Sequence, residues 1–212
     1  MKNVYLFLIQ ALMALSLFFA TACSKGDNGP GDPSDLRNVG EPALAGGGSD
    51  PTTVTIQIGK SYQGGIVAYI DETGQHGLIA TPEDLSPGIQ WYNGKYIETG
   101  ATGTMVGTGK SNTAKIVQAQ GQGNYAAKLC TDLVLNGYNN WVLPSLNELD
   151  ILYRNRSYIG MFYNSFYWSS SENDKSSTWG QDFSNGKQAY VYSSPDFGSK
   201  SYTYRVRAIR YF

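Results

Sequence analysis

The sequence predicts a small α+β domain, with strands at both ends of the globular region and helices between them. Three observations carry this. Short apolar or alternating runs bounded by Gly fill residues 54–80. Helical spacing and a capping-box pattern fill residues 112–153. Beyond Gly160 the chain is rich in aromatic residues, with an Asn-Gly dipeptide between two runs. The 212 residues are 41% hydrophobic and 16% charged, with 25 Gly, 16 Tyr and a net charge of −1. A soluble domain usually carries about 25% charged residues. So little charge with so much Gly excludes a long coiled coil and a highly charged disordered chain. Near-neutrality argues against a nucleic-acid partner. Two Cys build neither a disulfide scaffold nor a four-thiolate zinc site.

Residues 1–22 hold one early charge, Lys2, an apolar run from Val4 to Ala20, and small residues before Cys23. A charged start, a short apolar core and small residues at a cut site describe a secretory signal peptide. The alternative is a transmembrane anchor of about 20 apolar residues. The placement of Cys23 resembles a bacterial lipoprotein signal. It implies an acylated Cys23 as the mature N-terminus and a protein lipid-anchored in the outer membrane, on its periplasmic or outer face. Two or more acyl chains, at about 0.8 kcal/mol per buried CH2, hold a protein durably. A lipidated Cys23 leaves Cys130 as a free thiol. Residues 23–51, with five acids, two bases and Gly46-Gly47-Gly48, form a flexible tether.

The domain spans residues 52–212. Val54, Ile56 and Ile58 alternate as a first strand. Gly65–Ile70 and Gly77–Ala80 form a hairpin around the turn Asp71–Gly74. Helices follow at Asn112–Gln120 and Asn124–Asn136. In the second, Ala126, Leu129, Cys130 and Leu133 make one apolar face, which buries Cys130, and Asn136-Gly137 closes the helix. A third helix starts at Ser145, whose spacing to Glu148 is that of a capping box. Glu148 is therefore a cap. Phe166–Ser170 is a strand. Trp179–Ser184 and Lys187–Tyr192 form a hairpin on a two-residue Asn185-Gly186 turn, pairing Phe183 with Gln188, Gln181 with Tyr190 and Trp179 with Tyr192. Tyr202–Phe212 closes the chain. No repeat is visible, which disfavours a solenoid or propeller.

Four ordered motifs stand together: Trp141–Leu149, Tyr167–Glu172, Trp179 through Phe183 to Gly186, and Val206–Arg210. With Gly59–Val67 and Gly74–Leu78 they resemble the Legionella collagen-like protein C-terminal domain family over roughly residues 58–212. The resemblance implies a C-type-lectin-like α+β fold of two small, mostly antiparallel sheets and two or three helices. It also implies a ligand surface on the late strands and loops. The family is associated with adhesive surface proteins and brings no catalytic residues. The Glu-Pro-Asn and Trp-Asn-Asp motifs of calcium-dependent lectins are absent from the sequence.

Little else in the sequence carries chemistry. Gly109-Lys110-Ser111 lacks the first Gly of a phosphate loop, since residue 104 is Thr. His76, the only His, lies in a turn, and Asp71-Glu72 and Glu83-Asp84 read as solvated turn acids. Arg207 reads as structural, pairing with Glu148 or Glu172, while Arg205 and Arg210 reach solvent. From Ile151 onward eight bases face four acids, which favours an anionic polymer. The Trp179–Tyr192 face of the late hairpin is the more apolar and should be buried. Asp182, Lys187 and Ala189 then face partners, beside the loop Asn173-Asp174-Lys175 and the loop with Asp196 and Lys200. The expected function is a non-catalytic envelope binding or adhesion protein for a polysaccharide or surface protein, without a cofactor or catalytic metal. The alternatives are a two-carboxylate glycan hydrolase and a surface-fibre subunit.

Overall fold

The computed structural model describes residues 55–189 and 198–212. The signal segment, Cys23, the tether, Val54, Tyr190, Tyr192 and Asp196 lie outside the described residues.

Among the described residues the chain runs β1 (Ser61–Tyr62), β2 (Gly65–Ile70), β3 (Gly77–Ala80), β4 (Ser86–Ile89), α1 (Gly109–Gln120), α2 (Ala126–Asp132), α3 (Leu146–Arg154) and α4 (Arg156–Ile159). It continues with β5 (Phe166–Glu172), β6 (Thr178–Asp182), β7 (Gln188–Ala189), β8 (Tyr204–Val206) and β9 (Ile209–Tyr211). One sheet has the order β1-β2-β3-β9, the other β4-β8-β5-β6-β7. All pairs are antiparallel except β5 with β8. The fold is α+β, with helices inserted between the strands. None of these helices is long and apolar enough to cross a membrane.

Period-two alternation builds two cores. In β3, Ile79 joins a cluster with Trp91, Trp141 and Trp168, while Leu78 and Ala80 join one with Leu149, Leu152 and Phe183. In β5, Trp168 and Tyr167 divide in the same way. Side chains on a strand point to opposite faces, so central strands with apolar residues on both faces serve two cores at once.

Several elements differ from the sequence reading. Residues 55–58 form no strand, and pairing begins at Ser61–Tyr62, joined to β2 through Gln63 and Gly64 with φ of +42° and +92°. The second helix stops at Asp132. Leu135 and Tyr138 exchange both backbone hydrogen bonds across Asn136-Gly137, with φ of +52° and +83°. Asn-Gly here makes the two-residue turn with positive φ at both positions. The other Asn-Gly does not. At Asn185-Gly186 only Gly186 has positive φ (+82°), and the loop spans Phe183–Gly186, with Gln181 opposite Gln188 and Gly180 opposite Ala189. Phe183 is drawn into the core, and its N–H donates to Ser165 O (2.9 Å). The register moves by two residues, which preserves the faces of the strands.

Candidate functional site

The hairpin tip comes first. Asp182 Oδ1 accepts from Ser184 N (2.8 Å) and Ser184 Oγ (2.7 Å), and Oδ2 accepts from Asn185 Nδ2 (2.8 Å). Asp182 therefore builds the turn. Lys187 is exposed. Ala189 is buried, and Trp179 is only half-buried. The expected division of the hairpin into one buried and one open face does not hold, because the sheet carries packing on both sides.

The Asn173–Ser177 loop lies at the other end of β6, about 13 Å of extended chain away. Asp174 Oδ1 accepts from Ser176 N (2.7 Å), Ser176 Oγ (2.8 Å) and Ser177 N (2.8 Å). Burial would raise the Asp174 pKa, but these bonds outweigh it and hold the carboxyl below its usual range. Asn173 Nδ2 donates to Asp174 Oδ2 (3.1 Å) and Ser177 Oγ (2.9 Å). Lys175 is exposed, and its carbonyl accepts from Lys200 Nζ (3.1 Å).

Lys200 is not a surface group. It is fully buried, 2.5 Å from Glu172 Oε1, donates to Ile97 O (3.0 Å) and lies 4.7 Å above the Trp91 ring. Burial holds its ammonium below the usual lysine range. Glu172 also accepts from Thr99 N and Gly100 N (each 2.8 Å to Oε2). The pair fastens two long loops to the end of β5.

The carboxylates and arginines are committed elsewhere too. Glu148 completes the predicted capping box with Ser145, and Oε1 also accepts from Gly107 N and Tyr211 Oη (each 2.7 Å). A Cβ at Gly109 would lie 2.3 Å from Glu148 Oε2, so Gly109 is required by close approach to the carboxylate, with no phosphate involved. Arg207 pairs with neither Glu148 nor Glu172. Its Nε donates to Asp84 Oδ1 (2.8 Å), and Asp84 Oδ2 accepts from Arg205 NH1 (3.1 Å) and Tyr167 Oη (2.9 Å). Asp84 is a buried hub, not a solvated turn acid. Arg210 is buried against Asn140 Oδ1 (2.9 Å) and Gln63 Oε1 (2.9 Å). Of the eight bases from Ile151 onward, Lys200, Arg207 and Arg210 are buried.

Three clefts of about 330, 320 and 190 Å³ follow one another along the segment after β3. Pro82 lines the first and second, and Glu83 and Asp84 line the second and third. Their walls include Tyr62, Gln63 and Asn136, then Leu133 and Leu135, then Pro87, Met161 and Tyr163. Tyr163 is 53% exposed, and its ring carries the Arg205 guanidinium 3.9 Å from its centroid. Met161 keeps a φ of +56°, and its carbonyl accepts from Arg207 NH2. The groove offers stacking and apolar contact beside one exposed carboxylate, Glu83. Among the described residues no group of three or more His, Cys, Asp and Glu comes together.

Among the described residues, none of the expected ligand residues lines this groove. Asp84 went unrecognised because its partners lie 83, 121 and 123 residues away. The only hint was three Arg in the last strands, each needing a counter-charge or an acceptor.

A family model described as the Lcl C-terminal domain matches residues 80–210, well over half of the chain. No curated protein matches.

Proposed function

Because the chain belongs to the Lcl C-terminal domain family, we propose that it is a lipid-anchored, non-catalytic binding protein of the bacterial envelope, with a C-type-lectin-like recognition domain. Its ligand is a polysaccharide or a surface protein, held along the groove beside Thr81–Asp84. One observation carries this reading: the groove's inner carboxylate, Asp84, has both oxygens committed to Arg205, Arg207 and Tyr167. A two-carboxylate hydrolase needs one group free to give a proton and another free to attack or activate water. The groove presents Glu83 alone in that state, beside exposed Tyr163 and the Leu133–Leu135 wall. Shape and ring surface suit holding a chain ligand rather than cutting it.

A glycan array and an envelope-protein pull-down with the full chain in detergent test the reading. The Tyr163→Ala variant should bind captured ligand more weakly at an unchanged melting temperature. Turnover of any glycan or peptide overturns the non-catalytic assignment. Anchoring is tested separately: Cys23→Ala should abolish fatty-acid labelling and shift the protein out of the membrane fraction. Unchanged partition and labelling overturn it.

A further inference from the structure

The turn after β2 and the loop ahead of α1 enclose a cleft of about 340 Å³, lined by Tyr69, Asp71, His76, Val106, Tyr211 and Phe212 among others. Its size falls at the small end of ligand pockets, roughly 300–1,000 Å³. It shares no lining residue with the Thr81–Asp84 groove, so nothing said of it depends on that site. We propose that this cleft binds an alkylammonium group, with Asp71 as counter-ion and the rings of Tyr69, Tyr211 and Phe212 as its walls.

The walls are mostly carbon. The Tyr211 hydroxyl is already spent, donating to Glu148 Oε1 (2.7 Å) and accepting from Lys110 N (3.2 Å), so its ring rather than its oxygen serves the cleft. Phe212 is fixed by an edge-on contact with Tyr62, centroids 5.4 Å apart. Asp71 is held by one oxygen. Oδ1 accepts from Thr73 Oγ1 (2.7 Å), Thr73 N (3.1 Å) and His76 N (3.4 Å), while Oδ2 takes none of the hydrogen bonds among the described residues. The Thr73 hydroxyl bond, ahead of the other contacts, keeps this carboxyl below its usual range. A fixed carboxylate with one free oxygen beside three aromatic rings leaves few suitable occupants. A neutral sugar needs several polar partners, and an anion is repelled by Asp71 and the exposed Glu72 next to it. An ammonium satisfies the oxygen and is attracted to ring faces at the same time.

The test uses the full chain in alkyl-maltoside micelles. Choline is titrated against its neutral carbon isostere, 3,3-dimethylbutan-1-ol, while the Tyr69, Val106 and Phe212 resonances are followed. Choline should shift all three and the alcohol should bind about tenfold more weakly, the scale of a cation–π contact plus a counter-ion. Asp71→Asn keeps an oxygen for the Thr73 turn, so it should retain the melting temperature and weaken choline to the level of the alcohol. Equal binding of choline and the alcohol overturns the proposal. So does undiminished choline affinity in a folded Asp71→Asn protein, or the absence of shifts at these residues.

Discussion

Lys200 Nζ lies 2.5 Å from Glu172 Oε1, with the two side chains 0% and 2% exposed. Each charge was taken from water, and each is further satisfied by backbone: Glu172 by two N–H groups, Lys200 by two carbonyls. This satisfaction of the remaining donors and acceptors is what makes a buried ion pair tolerable. It also explains how residues 97–100, 172–177 and 198–202 hold together with little regular structure.

Removing one partner should therefore be costly. Glu172→Gln leaves the Lys200 ammonium buried without its counter-charge and should lower stability by about 3–5 kcal/mol. Replacing both residues with apolar ones should cost less than either single change. Urea unfolding of the three variants checks the order, and a Glu172→Gln protein as stable as the parent refutes it.

Alkaline stability should report Tyr167. Burial, ahead of the adjacent Asp84 carboxylate, pushes its phenol up to about 12 from 10.0. A raised folded-state pKa means that the stabilisation is fully present below pH 10 and is lost as pH climbs from there through about 12. The loss should be on the order of 2 kcal/mol. Tyr167→Phe should remove that part of the slope, read by urea melts across the range. An unchanged slope would show that Tyr167 is not the group responsible.

Cys130 should be inert in the folded protein. It is fully buried on α2, and burial pushes its thiol up, so little thiolate forms. In a Cys23→Ala background, disulfide-exchange reagents should label nothing until denaturant unfolds the domain. Fast labelling without denaturant would contradict this packing.

The two charged residues at the β6–β7 tip should differ. Asp182→Ala removes three hydrogen bonds that shape the turn and should cost about 1–2 kcal/mol. Lys187 is exposed, and Lys187→Ala should stay within about 0.5 kcal/mol of the parent. Thermal melts separate them, and equal effects would mean that the Asp182 bonds contribute nothing net.

What the sequence determined by itself was local. The β2–β3 hairpin, the Ser145–Glu148 cap, the helical face burying Cys130 and the family frame were legible because each rests on residues a few positions apart. The tertiary structure decided which Asn-Gly makes the two-residue turn. Asn136-Gly137 does, between two extended residues, while at Asn185-Gly186 the pull of Phe183 into the core widens the loop. It also decided which charges face water. Lys200 and Arg210 read as surface groups and Arg207 as a partner of Glu148 or Glu172, yet Lys200, Arg207 and Arg210 bind Glu172, Asp84 and Gln63, which lie 28, 123 and 147 residues away. A buried charge is stable only where such partners converge, and that convergence exists only once the sheets have assembled.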